Sequence, residues 1–303
     1  MNTSQLTAYL IKRVSSMDVQ PHPFPVFTAD DILPTEVFHA LRRSFPTSGF
    51  KETTSFGYHN RWTLELGEIA TFNVDSVDGD QKILQELIRS EPAWGMFISS
   101  LSSPEFLFAL KKKLVRHLWR ERGIRVFLPW KVTAVPKSGS GSDWHFGVTP
   151  RMALHSIAKG GTVAPHKDAS RKLITLLFYF ADDDWKEEWG GSTNFFRFKS
   201  KKAEQLWRQQ DWSWHNPVPE DDYQQFYDWV EVYAQGEFKP NALGGFCSGH
   251  LSYHAVNPIQ IDESRQRRTV LLTFDITPAY TTFNIFAQRL GNLFRGMKAK
   301  PKS

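Results

Sequence analysis

The chain is poor in several features that would have narrowed its class at once. A single cysteine, Cys247, leaves no partner for an internal disulfide and suits a reducing cytoplasm. No stretch of 18 or more apolar residues is present, which excludes a spanning helix. The opening "MNTSQLTAYLIKRVSS" lacks both the basic-then-apolar layout and the small-residue cleavage site of a secretory leader. No internal repeat or low-complexity tract appears. Net charge is also absent outside one place. Residues 283–303 hold Arg289, Arg295, Lys298, Lys300 and Lys302 and no acid, which matches the formal net charge of +5 for the whole chain. The remainder is balanced, so a basic nucleic-acid-binding body is not supported, and no nucleic-acid partner is expected. These absences imply a cytoplasmic protein.

What is present is core material. The 303 residues are 41% hydrophobic and include 24 Phe and 11 Trp, enough for one large integrated domain spanning 1–303. Residues 1–125 read as a mainly helical support region. "PFPVF" is extended and leads through a turn at Asp30–Asp31 to Pro34 in a first helical turn. Val37, Phe38, Leu41 and Phe45 follow at helical spacing, and Pro46 stops the helix. Residues 80–122 are helical in pattern, with Ser103-Pro104-Glu105 as a start signal.

From about 126 to 280 the pattern changes to short segments rich in β-branched and aromatic residues: "RVFLPWKVTAV", "RMALHSIA", "GTVAPH", "KLITLLFYF", "STNFFRF", "ALGGFCS", "LSYHAV" and "RRTVLLTFD". Many short strands without long intervening helices imply an antiparallel barrel or sandwich of jelly-roll type. Residues 200–236 read as a helix-and-loop insert. Its Trp207, Trp212, Trp214, Tyr223, Phe226, Tyr227, Trp229 and Tyr233 are assigned chiefly to packing, with one or two left to face a substrate. Trp144 and His145 are equally open to substrate contact or a structural role. Residues 281–303 form a basic amphipathic tail. It is expected to dock on its own domain or to form a homodimer contact, with peripheral membrane contact as the less common outcome.

One set of residues carries chemistry. His166 and Asp168, two apart on an extended chain, share a face. With His254 in "LSYHAV" they complete a 2-His-1-carboxylate set, which suits a non-haem Fe(II) with open positions. An arginine from the pair Arg267–Arg268 fits a further need, a bidentate fork for the distal carboxylate of a dicarboxylate co-substrate. His250 is a second candidate for the distal histidine, but "YHAV" fits a strand better.

These blocks, in this order, resemble the Fe(II)- and 2-oxoglutarate-dependent oxygenases of the prolyl-hydroxylase-like branch. "PFPVFTADDILPTEVFHALRRSFP" is similar to the branch's N-terminal strand, turn and helix. "RMALHSIAKGGTVAPHKD" is similar to its first core strand with the His-x-Asp. "KLITLLFYFADDDWKEEWGGSTNFF", "HLSYHAVNPI" and "RRTVLLTFD" resemble the strands that follow. The resemblance covers roughly the first fifty residues and 150–276; residues 50–145 match no motif.

The resemblance implies an α+β fold, a double-stranded β-helix (jelly-roll) core with supporting N-terminal helices and a helical insert. It implies His166, Asp168 and His254 as iron ligands. Tyr179, four residues beyond Thr175 on the same strand face, would bind the 2-oxoglutarate tail, and Arg268, preferred slightly over Arg267, its distal carboxylate. Arg268 is preferred because it shares a face with Val270, Leu272 and Phe274, read as the inward stripe. The implied cofactors are Fe(II), 2-oxoglutarate and O2, with ascorbate in support. The implied reaction is hydroxylation of a C–H bond in a small molecule or peptide, with release of succinate and CO2. The carboxylate of Asp168 disfavours halogenation, whose enzymes carry Gly or Ala there. Two alternatives stay open: the same cofactors ending in desaturation, cyclisation or demethylation, and a non-catalytic jelly roll that binds a ligand or metal.

Overall fold

A computed structural model describes residues 1–53, 57–69, 82–132, 146–208 and 216–276. The tail at 281–303, Trp144, His145, Trp212 and Trp214 lie outside these residues. The elements run α1 (Thr3–Ser16), β1 (Asp18–Gln20), β2 (Val26–Ala29), α2 (Thr35–Arg43), β3 (Lys51–Glu52), β4 (Tyr58–Glu68), α3 (Lys82–Ser90), α4 (Pro92–Leu101), α5 (Pro104–Arg122), β5 (Trp130–Val132), β6 (Phe146–His166), β7 (Lys172–Tyr179), β8 (Thr193–Phe198), α6 (Lys201–Arg208), α7 (Tyr223–Trp229), β9 (Val230–Gly236), β10 (Ala242–Cys247), β11 (His254–Val256) and β12 (Arg267–Ile276).

The helices begin where the side chains can cap them. Asn2 and Gln5 form a reciprocal capping box at α1. Ser103 accepts from the Phe106 amide at 3.2 Å ahead of Pro104, so the start signal read at 103–105 holds. Pro34 stands at the cap of α2, one position earlier than a first-turn proline.

The strands form one sheet in the order β1-β2-β10-β7-β12-β6-β11-β8-β9, with β4 and β5 added on β6 and β3 on β4. Except for β5 beside β6, the pairings are antiparallel. The far strand β9 comes back against β10 and β2, so the sheet closes on itself as a double-stranded β-helix. "RMALHSIA" and "GTVAPH" are two parts of the single strand β6. Its first part pairs with β12 and its last part with β11, so β6 belongs to both halves of the barrel. The change of direction falls at Gly160, with φ +69°, and Gly161. A Cβ at Gly161 would come within 2.9 Å of the Asn60 carbonyl, too close for any other residue.

Two regions depart from the sequence reading. Residues 230–236, read as part of a helix-and-loop insert, form β9 and pair with β8. Tertiary pairing there overrides the aromatic helix pattern that ends at Trp229. In the support region, residues 58–68 form the long strand β4 along β6. Its signal is the alternation of buried Leu64 and Leu66 with Glu65 and Gly67.

The main core lies between the helices and the outer face of the sheet, not inside the barrel. Leu6, Leu10 and Val14 of α1, Trp94 and Phe97 of α4, and Leu110, Leu114 and Leu118 of α5 meet Ile174, Leu176 and Phe178 of β7 and Val270, Leu272 and Phe274 of β12 in one continuous cluster. A separate cluster of Trp207, Val218, Phe226, Val230 and Tyr253 packs the described part of the insert onto the barrel. Packing therefore accounts for Trp207 and Phe226.

Candidate functional site

The barrel interior carries the alternate residues of the same strands. Along β12, Arg267, Leu271, Thr273 and Asp275 line a cavity of about 880 Å³, and along β7 so do Lys172, Thr175 and Leu177. Period-two alternation puts these side chains on the face opposite Val270, Leu272 and Phe274, except Lys172, which lies beyond the register shift at Phe274/Asp275.

At one end of the cavity, β6 and β11 place His166 and His254 directly opposite one another in the ladder. Their rings lie 4.2 Å apart between centroids. Asp168 follows in the turn to β7. One ligand atom from each of the three residues lies within 4.8 Å of the others. Both histidines are buried. His166 Nδ1 is 2.8 Å from the Ala164 carbonyl and His254 Nδ1 is 3.0 Å from the Ser252 carbonyl. A carbonyl can only accept, so each Nδ1 carries the hydrogen and each Nε2 presents a lone pair. Phe246, with its ring centroid 4.5 Å away, and Phe195 hold the His254 ring in place.

The Asp168 carboxylate is equally constrained. Lys172 donates to Oδ1 at 2.6 Å and Thr175 Oγ1 donates to Oδ2 at 2.6 Å. Each oxygen keeps a second lone pair. Burial alone would raise the Asp168 pKa, but the Lys172 ammonium and the two imidazoles outweigh it and hold it well below the usual carboxylate range. Burial, reinforced by the neighbouring His254, pushes His166 well below its ordinary value; burial lowers His254 as well. Two neutral imidazoles and an ionised carboxylate converging in a buried pocket form an N,N,O donor set suited to a divalent first-row metal with open positions.

The second feature of the cavity is a buried cation. Arg267 is 2% exposed. Its Nε donates to the Gly191 carbonyl and its Nη2 to Thr193 Oγ1 at 3.3 Å. Tyr179 donates to the same Thr193 hydroxyl at 3.0 Å, and the Tyr179 ring lies 5.5 Å from the guanidinium carbon. Glycine at 236 and 244 makes room for the tyrosine, since a Cβ at either would lie 2.5 Å from its hydroxyl. Burial lowers the Arg267 pKa, and no carboxylate pairs with it among the described residues.

The structure reverses the preference for Arg268. Its guanidinium leaves the cavity, donates to Asp182 Oδ1 at 2.8 Å and lies over Phe45 on the helix side. The stripe it shares with Val270, Leu272 and Phe274 is apolar because it faces the helices rather than the interior. Thr175 does line the cavity, but its hydroxyl is committed to Asp168; Tyr179, two rows further along β7, is the partner of the arginine. His250 is exposed and stands apart from the metal-ligand set.

Three further residues escaped the sequence reading. Tyr58 of β4 lies edge-on to His166 with ring centroids 5.9 Å apart. Arg61 stacks over Tyr58 at 5.0 Å, and its Nη2 lies 3.1 Å from Nε2 and 3.3 Å from Nδ1 of His155 on β6. Burial, reinforced by the charge of Arg61, lowers the His155 pKa well below its usual value, so the imidazole is neutral. Nothing in the sequence marked Arg61 except its place on an alternating strand.

No protein-family model matches the chain, and no curated protein matches it in sequence. Solved structures overlap it more broadly. A prolyl-4-hydroxylase from Pseudomonas putida is 12% identical, with 89% of this chain and 98% of that one covered at a TM-score of 0.46. A prolyl hydroxylase from Trichoplax adhaerens, in complex with a hypoxia-inducible-factor oxygen-degradation-domain peptide, is 9% identical over 90% of each chain at 0.42. HygX from Streptomyces hygroscopicus, with nickel, 2-oxoglutarate and hygromycin B bound, is 8% identical over 84% and 83% at 0.40. At these identities and scores, the chemistry of this chain rests on its own residues.

Proposed function

We propose that the chain is an Fe(II)- and 2-oxoglutarate-dependent oxygenase of the prolyl-hydroxylase-like kind that hydroxylates a C–H bond in a small molecule or peptide. One observation carries the reading: an N,N,O donor set and a buried arginine that has no acidic partner among the described residues face the same cavity. A structural metal site would be closed by four protein ligands; among the described residues this one has three. A jelly roll that held only a metal would leave the Arg267–Thr193–Tyr179 arrangement without a purpose.

Each group has a task. His166 and His254 would hold the metal through Nε2, their backbone acceptors fixing ring orientation. Asp168 would supply the carboxylate, oriented by Thr175 and Lys172. Arg267 would receive the distal carboxylate of 2-oxoglutarate, with Thr193 and Tyr179 holding the guanidinium and neighbouring hydroxyl in place. Bound together, Fe(II) and 2-oxoglutarate supply the activation of O2 that ends in succinate, CO2 and an oxidised substrate. The barrel excludes water and fixes the substrate's C–H bond within reach.

The test is anaerobic addition of Fe(II) and 2-oxoglutarate to the purified chain. A weak visible charge-transfer band, followed by succinate release on admission of O2, is expected. A folded protein that shows neither contradicts the reading.

A further inference from the structure

Arg267 is not the only guanidinium in the cavity. Along one cross-strand row, Arg61 of β4, Ile157 of β6 and Arg267 of β12 stand side by side. The two arginines are therefore two strand spacings apart, about 10 Å at the backbone. All three side chains line the same cavity. The hydrogen-bonding partner of Arg61 among the described residues is the uncharged His155, and its Nε, out of reach of solvent, donates to nothing. A guanidinium desolvated without an anion is costly, and buried cations are ordinarily paired. Two other arginines near these strands have acids: Arg171 pairs with Asp275 and Arg268 with Asp182.

Arg61 also stands on the metal side of the cavity, stacked on the Tyr58 ring that lies against His166. On the proposed reading, the metal set and Arg267 would take the two carboxylates of 2-oxoglutarate. Glu65 and Asp168 act on Arg61 only from beyond ion-pair distance, so the row would still contain one fork with no paired acid among the described residues. From this we infer that Arg61 is the specificity-determining residue of the site, and that it receives a carboxylate of a small-molecule substrate, with His155 orienting the guanidinium and the Tyr58 ring forming its floor. Nε and one Nη of a guanidinium match the two oxygens of a carboxylate. The inference rests on the 2-oxoglutarate reading for the assignment of Arg267 and adds the substrate class to it.

The experiment uses the full chain loaded with Ni(II) and 2-oxoglutarate. The probes are the common L-amino acids, acetate and benzoate, each beside its primary amide, with binding detected by ligand-observed NMR. At least one acid is expected to bind wild type at least about tenfold more tightly than its amide, the preference a charge-assisted pair confers. That preference should vanish in Arg61→Gln and return in part in Arg61→Lys, which keeps the charge and serves as the second variant should the first fold poorly. The affinity for 2-oxoglutarate should stay within about threefold of wild type in both.

Three results would overturn the inference. Wild type could bind no acid of the panel better than its amide, or the preference could persist in Arg61→Gln. Alternatively, 2-oxoglutarate affinity could fall in Arg61→Gln as far as in Arg267→Gln, which would make Arg61 a co-substrate residue. Failure of wild type to bind Ni(II) and 2-oxoglutarate would count against the oxygenase reading instead. The acid-over-amide comparison is run on the unloaded protein too, so the two failures are told apart.

Discussion

The two faces of β7 and β12 are built from the same strands and do opposite work. The face toward the helices carries Ile174, Leu176, Phe178, Val270, Leu272 and Phe274, all buried in one apolar cluster. The face toward the cavity carries Thr175, Tyr179, Arg267, Thr269, Thr273 and Asp275, all polar and buried, with Leu177 and Leu271 as the apolar exceptions among them. Apolar burial drives folding at roughly 25 cal/mol per Å², whereas polar burial must be compensated group by group. The outer face therefore makes the scaffold, and the inner face uses some of that stability to hold charges out of water. In this barrel the most apolar stripe marks the side away from the site.

Substitutions can separate the two faces. The largest effect is expected inside. His166→Ala or Asp168→Ala leaves two of three donors, and Ni(II) binding measured by calorimetry should fall below detection while far-ultraviolet circular dichroism is unchanged. On the outer face, Phe178→Ala removes a ring packed at 5.2 Å against Phe97. It should cost about 3–5 kcal/mol in urea unfolding, and Ni(II) affinity per folded molecule should be retained. A loss of metal affinity with no loss of stability in that variant would break the division. Next, Thr175→Val removes the hydroxyl that orients Asp168, and metal affinity should drop by about 10- to 100-fold. The smallest change is expected for Arg268→Gln, whose ion pair with Asp182 is partly exposed; chemical denaturation should register no more than about 1 kcal/mol.

The same comparison explains what the sequence disclosed and what it hid. The gathering of His166, Asp168 and His254, with one ligand atom of each within 4.8 Å of the others, was legible because a candidate ligand set needs particular residue types and the His-x-Asp spacing puts two on one face of an extended chain. The jelly roll was legible because its strands are short and bounded by turn residues. The choice between Arg267 and Arg268 was not, since the parity of a strand says which residues share a face but not which face looks inward. Taking the apolar stripe as the interior inverted the answer, because α1, α4 and α5 cover that stripe from outside. Strand β4 was hidden for a related reason. Its outward residues alternate only at Leu64 and Leu66, and its identity as a strand comes from pairing with β6 about ninety residues away. Arg61 could not be recognised until that pairing put it in one cross-strand row with Arg267. Residues 230–236 were misread because an aromatic helix runs directly into a strand, and only the partner β8 separates them.

The division of faces and the proposed chemistry meet in one measurement. Calorimetric titration of 2-oxoglutarate into Ni(II)-loaded protein compares wild type with Arg267→Gln and Arg268→Gln. The expected result is binding to wild type that requires the metal, a loss of about two orders of magnitude in Arg267→Gln, and wild-type affinity in Arg268→Gln. Equal affinities in all three proteins, or a loss confined to Arg268→Gln, would contradict both the site and the inward orientation assigned to Arg267.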